Sequence, residues 1–389
     1  MENKERALAH VEKIEWIRPI EGADNIELIG VLGWVCIAKK GEFNVGDMAI
    51  YIEIDSKCPE TDERFAFLAN KKFKVKTMKL GKFKVISQGL ALPLSLFPEL
   101  HDRNIGDDVT EALKITYASE EDAARKTNKV DPNAKYKSMA KRRPKLFANP
   151  IVRRIMRYSI GRKIMFLLFG RKKDNPKKFP DWIVKTDETR IENAPFYLQS
   201  TEKWIKTEKC DGTSCTFAVD RLKKGKNKFD FIVCSRNVRQ ADREQACYHE
   251  SNIYWELADK YDIEKILTQF ATENNYNRVV LQGEGVGSVQ GNPYKFMENK
   301  LFVFNLIIDG TRLGTVEMAD FCKSHGLTSV PIIDTAYELP KTMEEMKLEA
   351  DGYSELNPKV KREGFVYRDI SGQKSFKNVS REYLLKHNG

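Results

Sequence analysis

The N-terminal 115 or so residues are a series of short apolar, β-branched runs, each stopped by turn residues. That punctuation restricts the region to an all-β packing. Residues 26–38 form one such run, and residues 48–54 alternate around Ile50, Ile52 and Ile54. Gly41, Gly46-Asp47 and Asp55-Ser56 break the runs, and residues 73–77 and 83–87 read as paired strands around Leu80-Gly81. Strands this short need a sheet that curls on itself, so the expectation for residues 1–115 is an OB-like β-barrel. Lys71, Lys72, Lys74, Lys76, Lys79, Lys82 and Lys84 crowd the hairpin, with Phe73 and Phe83 among them. Cations that track phosphates beside rings that stack on bases would make a nucleic-acid face. A solvated lysine face on an ordinary barrel reads equally well.

Residues 116–180 read differently, as a basic, partly helical linker or insertion. Between positions 125 and 178 there are 19 Lys or Arg and two acids, Asp131 and Asp174, a net of +17. The whole chain carries +10, so everything outside this stretch sums to 10 − 17 = −7. Such a concentration favours a polyanionic partner, either nucleic acid or an anionic membrane, over a merely solvated linker only if other signals agree. Residues 151–169 read as one basic helix with an apolar stripe at Ile151, Ile155, Tyr158 and Ile164-Met165. It could clamp a nucleic-acid duplex, lie on an anionic surface, or pack on a neighbouring domain. No apolar run approaches the roughly 18–20 residues of a membrane span, and the charged N-terminus has no signal core. The seven cysteines include no Cys-x-x-Cys pair, so neither a disulfide framework nor a zinc site is expected. Reduced thiols point to an intracellular setting, cytoplasmic or nuclear, with an organellar address left open.

Residues 181–389 alternate apolar strands with polar loops and helices, giving an expected α+β class overall. Expected strands include 214–219, 229–234, 279–283, 301–308 and 364–367, with helices at 252–270 and 315–325. Between two apolar stretches stands Glu208-Lys209-Cys210-Asp211-Gly212-Thr213. A lysine amine near its reference pKa of about 10.4 is protonated and unreactive. Burial or a nearby cation would turn it into a nucleophile. Gly212 would let the backbone approach a bound nucleotide closely. Alone, Lys-x-Asp-Gly is a common surface turn.

It is followed, in order, by Ser235-Arg236-Asn237, Gln282-Gly283-Glu284-Gly285, Leu301-Phe302-Val303-Phe304-Asn305, Glu363-Gly364-Phe365-Val366 and Lys374-Ser375-Phe376-Lys377-Asn378. As an ordered set these segments resemble the covalent nucleotidyltransferase superfamily of ATP-dependent ligases and capping enzymes. The resemblance implies antiparallel sheets with helices in an ATP-grasp-like arrangement over residues 181–389. It implies that Lys209 attacks the α-phosphate of ATP, forms a Lys–AMP adduct and expels pyrophosphate. It further implies that Arg236 contacts phosphate or ribose, Glu284 the ribose hydroxyls, and Phe304, or else Phe302, the adenine ring. Glu363 would hold a divalent metal through water, and Lys377, with Lys374, would bind the α-phosphate. Asp211, Glu208 and Gly212 complete the implied site. A hard cation held by phosphate oxygens, water and few carboxylates fits Mg²⁺, with Mn²⁺ possible. The spacing Lys374-x-x-Lys377 departs from the Lys-x-Lys of many RNA ligases, and residues three apart on a flat strand face opposite ways.

Only 12 residues follow Lys377, too few for the C-terminal OB domain usual in DNA ligases and capping enzymes. An N-terminal barrel instead resembles the Deinococcus/Naegleria-type RNA ligases, as do residues 179–188, 375–380 and Gln290-Gly291-Asn292-Pro293-Tyr294. That implies a monomer that seals 3′-hydroxyl/5′-phosphate nicks in duplex RNA or RNA/DNA. Two alternatives are a GTP-using capping guanylyltransferase and a non-catalytic RNA-binding protein.

Overall fold

The computed structural model describes residues 7–118, 144–169, 177–223, 228–240 and 252–387. The lysine-rich stretches 119–143 and 170–176 lie outside the described residues.

The N-terminal sheet contains β1 (Ala9–Pro19), β2 (Ile26–Val31), β3 (Trp34–Lys39), β4 (Met48–Ile52) and β5 (Leu90–Pro93), in the order β3-β2-β1-β4-β5. A register shift between Ile14 and Trp16 divides β1, so that its first half pairs with β4 and its second with β2. A bulge of this kind bends and twists the strand, which lets one sheet curl around two core clusters. Ala9, Val11, Ile50, Ile52, Phe65 and Phe97 fill one cluster. Ile14, Ile29, Trp34 and Tyr51 fill the other, and Val379 and Leu384 from the far end of the chain complete it.

The single run expected over residues 26–38 is two strands, because Leu32 takes the left-handed conformation (φ 51°) and turns the chain. The hairpin also differs from expectation. It pairs Met78–Leu80 with Val85–Ser87, and residues 73–77 are not a strand. Phe73 has φ 58° and packs against the barrel core, so it is not a base-stacking ring.

Residues 144–169 form three short helices: α1 (Pro144–Ala148), α2 (Pro150–Met156) and α3 (Ser159–Phe169). The one helix expected over 151–169 is therefore broken at Arg157-Tyr158. Of the expected apolar stripe, Met165 is buried against Phe147.

The C-terminal region is built on two sheets. Its main strands are β6 (Trp204–Glu208), β7 (Thr213–Arg221), β8 (Phe229–Cys234), β9 (Arg278–Val286), β10 (Lys300–Ile308), β11 (Ile332–Tyr337), β12 (Gly364–Asp369) and β13 (Ser375–Val379). The larger sheet runs β8-β7-β9-β10 at its centre, and the smaller runs β11-β6-β12-β13. Helices α4 (Ile253–Lys260), α5 (Ile263–Glu273) and α6 (Thr315–Ser324) cover the larger sheet. Leu257, Leu267 and Met318 pack there on Phe217, Leu281 and Val303. The one helix expected over 252–270 is interrupted where Asp262 adopts φ 49°. Helix α7 (Met343–Ala350) backs the smaller sheet, and α8 (Arg381–His387) follows it. The fold is thus α+β, an OB-type half-barrel followed by paired antiparallel sheets with helices.

Candidate active site

The four residues between β6 and β7 cross from the smaller sheet to the larger. At one end, the Glu208 and Lys209 amides donate to the carbonyls of Pro331 and Gly364 (2.9 and 3.0 Å). At the other, a Cβ on Gly212 would lie 2.4 Å from the Gly285 carbonyl oxygen. Glycine is needed at 212 because the neighbouring strand β9 comes so close, and not merely so that a ligand can approach.

A cavity of about 550 Å³ opens where the sheets meet. Lys209, Glu208, Asp211, Gly212, Arg236, Glu284, Phe304, Glu363 and Lys377 all line it. Two residues singled out from sequence do not. Phe302 is buried beside Cys210, Val286 and Tyr294. Lys374 precedes β13, and its ammonium pairs with exposed Glu202 at 2.8 Å. The register places Lys377 opposite Val366 and Ser375 opposite Arg368, so it is Ser375 that shares a strand face with Lys377.

Lys209 Nζ lies 2.9 Å from Glu363 Oε1. Burial pushes this amine down, but the fields of Glu363 and Glu284, with the Glu363 hydrogen bond, more than reverse it and hold its pKa above the usual lysine value. In this state Lys209 is a protonated ammonium. Burial raises the Glu284 carboxyl to about 8, with Lys209 opposing and Glu363 and Asp211 adding to the rise. The Asp211 amide donates to Tyr294 Oη at 2.6 Å, and the Tyr383 hydroxyl hydrogen-bonds the Asp211 side chain. Glu208 lines the cavity, yet its carboxylate is occupied elsewhere, accepting from the Ser354 hydroxyl and the Glu355 amide.

Further cations of the cavity are tied to acids of the segment 179–188. Asp187 bridges Arg236 (3.2 Å) and Lys377 (2.6 Å). Glu188, next in sequence, accepts from Arg368 at 3.0 Å and Arg312 at 3.4 Å. Against the effect of burial, these guanidiniums hold its carboxyl below the usual range. The barrel also contributes, with Asp55, Lys74, Lys76 and Tyr117 on the rim of the same cavity. Arg190 joins the two regions, pairing with Asp55 at 3.3 Å and bridging to the Lys377 strand. Among the described residues no three His, Cys, Asp or Glu side chains form a ready metal cage. The oxygen donors available, Glu363, Asp211 and Glu284, suit a hard cation that takes its remaining ligands from water and phosphate.

The same two-part layout recurs in known proteins. A family model of an OB-fold domain matches residues 8–94, and one of RNA ligases matches residues 202–385. The chain is 31% identical to a Naegleria gruberi RNA ligase solved with PPi, with a TM-score of 0.75, covering 98% of this chain and 99% of that one. The chain belongs to the RNA ligase family. Mutants of the Naegleria enzyme solved with ATP and Mn and with AMP and Mn match at 29% and 30% identity, each with a TM-score of 0.73 and covering 98% of this chain and 99% of that one. No curated protein matches the sequence significantly.

Several residues of this ligase's cavity escape a reading of motifs. Asp187 and Glu188 lie within the segment 179–188, which the family resemblance picks out as a whole without distinguishing these two side chains. Lys74 and Lys76 were visible as cations, but nothing local separates them from the exposed Lys71, Lys72, Lys79, Lys82 and Lys84. Tyr383 carries no sequence signal, because it reaches the cavity only by the docking of α8.

Proposed function

We propose that this ligase seals 3′-hydroxyl/5′-phosphate breaks in RNA with ATP, through a Lys209–AMP intermediate, and that its preferred substrate is a nick in a duplex with RNA on the 3′-hydroxyl side. The observation that carries the reading is the Lys209–Glu363 contact, set in a cavity that also gathers Glu284, Phe304, Arg236 and Lys377.

The chemistry follows from the cavity wall. The Lys209 amine must lose a proton before its lone pair can form the N–P bond. As that bond forms, the bond from the α-phosphorus to the bridging oxygen breaks and pyrophosphate leaves with the electron pair. Glu363, 2.9 Å away, favours the protonated amine, so that contact must be relieved before attack. A divalent cation at Glu363 would oppose the ammonium charge and neutralise phosphate oxygens. Lys377 and Arg236 would receive the developing negative charge on the α-phosphate, exchanging Asp187 for phosphate oxygens. Phe304 offers a ring to adenine, and Glu284 an oxygen to the ribose. Asp211 and Tyr294 would hold the nucleophile loop in register.

The second and third steps reuse this wall. AMP passes from Lys209 to the 5′-phosphate, and the 3′-hydroxyl then displaces it. Lys74, Lys76 and Tyr117 bring the barrel to the cavity rim, where a duplex end would lie, and the exposed lysines of the hairpin would follow its backbone.

The test is incubation with α-labelled ATP or GTP and Mg²⁺, with Lys209→Ala alongside. Label transferred from ATP and absent in the variant is the expected result. Transfer from GTP instead would make this a guanylyltransferase, and no transfer to folded protein would leave RNA binding alone. Pre-adenylylated protein offered nicked RNA, RNA/DNA and DNA duplexes then ranks the substrates.

A further inference from the structure

Helices α2 and α3 are two copies of one pattern. Ile151-Val152-Arg153-Arg154-Ile155-Met156 in α2 corresponds to Ile160-Gly161-Arg162-Lys163-Ile164-Met165 in α3. The fold treats the copies alike. Met156 and Met165 turn inward to the small cluster around Phe147, while both isoleucines of each copy face water. A Cβ at Gly161 would lie 2.0 Å from the Ile155 carbonyl oxygen, so glycine in place of the first copy's valine lets α3 pack against the end of α2. The outcome is a set of outward apolar side chains: Ile151 is 69% exposed, Ile160 70%, Ile164 50% and Leu168 64%, with the Tyr158 ring at 66%. On α3 the stripe falls at i, i+4 and i+8, a single helical face. Arg153, Arg154, Arg157 and Lys163 are exposed beside it, and residues 144–169 contain no Asp or Glu.

Phosphates of a duplex would engage the cations, but would leave the isoleucines in water. Burying the stripe in a protein groove would serve the isoleucines but not this density of cations. A bilayer with anionic headgroups serves both at once. Aliphatic side chains enter the acyl boundary while the cations remain at headgroup level. We propose that residues 144–169 are a peripheral docking surface for anionic lipid bilayers, through which the ligase is held at a membrane face without spanning it.

The test is co-sedimentation of the full-length protein with phosphatidylcholine vesicles, with and without phosphatidylglycerol. Two surface variants accompany the wild type: Ile160→Ser/Ile164→Ser/Leu168→Ser, and Arg153→Gln/Arg154→Gln/Lys163→Gln. The wild type should pellet only with the anionic vesicles. The serine variant should lose binding at least tenfold, and the glutamine variant about fivefold for each cation removed. Lys209 labelling by ATP should be unchanged in both. Failure of the wild type to pellet overturns the proposal, and so does pelleting that the serine variant leaves intact. If vesicles are ignored while the glutamine variant alone weakens duplex RNA binding, the surface belongs to RNA. If the serine variant instead abolishes a concentration-dependent dimer, it belongs to a second copy of the chain.

Discussion

The two sheets that form the ligase cavity are held together by different physics. The larger is backed by a dry core, with Phe217, Leu257, Leu267, Leu281 and Val303 all fully buried. The smaller buries charge. Lys347 and Glu192 are each 1% exposed and pair at 2.5 Å, and Lys206, Glu208, Arg368 and Lys377 are buried as well. Its apolar component is a ring stack, with Tyr367 and Phe376 4.9 Å apart and 13° from parallel, and Trp204 set edge-on to Phe376. The division matches the chemistry. The smaller sheet presents the proposed nucleophile, its ion-pair partner Glu363, and Lys377, which must be fixed in place. The larger presents Glu284 and Phe304, one on each of two adjacent strands of a rigid apolar slab. Ionic groups held in a dry setting act strongly but tolerate little disturbance.

The contrast can be tested, beginning with the largest effect. Lys209→Ala should abolish transfer of label from ATP to protein that circular dichroism shows to be folded. Lys377→Ala should slow lysine adenylylation by about 10²–10³-fold, the usual cost of one donor to a developing oxyanion. Lys374→Ala, with its cation outside the cavity, should change the rate by no more than about twofold. Equal losses at the two lysines would mean that the cavity wall extends beyond its present lining.

Stability gives the sharper comparison. Lys347→Met leaves Glu192 buried and uncompensated and should cost about 3–5 kcal/mol by urea denaturation. Adding Glu192→Leu should recover most of that loss, since it removes the stranded charge. Leu267→Ala in the larger sheet should cost about 2–5 kcal/mol through transfer and cavity terms, and no second substitution of a charge should restore it. If the Lys347 and Leu267 variants respond alike to their partners, the proposed division between the sheets fails.

The smallest effect concerns pH. Burial raises Glu284 from its ordinary 4.5 to about 8. Between those values the folded ligase holds more protons than the unfolded chain, so stability falls as pH rises through the window. Glu284→Gln should flatten that decline in the nucleotide-free enzyme, by on the order of 1–3 kcal/mol across the window. An unchanged pH profile would mean that Glu284 is ionised at neutral pH despite its burial.

Much of the cavity was legible in the sequence because its charged residues interrupt apolar runs, Lys209 and Glu363 beside strand ends and Glu284 and Lys377 within β9 and β13, where a polar side chain must have a reason to stand. Lys209, Glu284, Glu363 and Lys377 all stand out in this way. Phe302 and Phe304 do not. They are alike in sequence, alternate with the same Val303, and are separated only by a bulge between Gln282 and Gly283 that shifts the register of β9 against β10. Gly212 was noticed for the right residue type and a partly different cause, since the backbone it must admit includes the chain's own β9.

By itself the sequence determined the order of barrel, basic segment and catalytic sheets. It also determined most strand positions and the set of charged side chains available to the cavity, because apolar periodicity and turn chemistry are local properties. Only the tertiary structure decided which lysines of the barrel reach the cavity, that Asp187 joins Arg236 to Lys377, and that Tyr383 arrives from the end of the chain. It also decided that residues 150–169 form two matched helices with their isoleucines outward. These outcomes depend on packing between segments far apart in the chain, where burial and charge pairing are settled jointly and no local pattern records the partner.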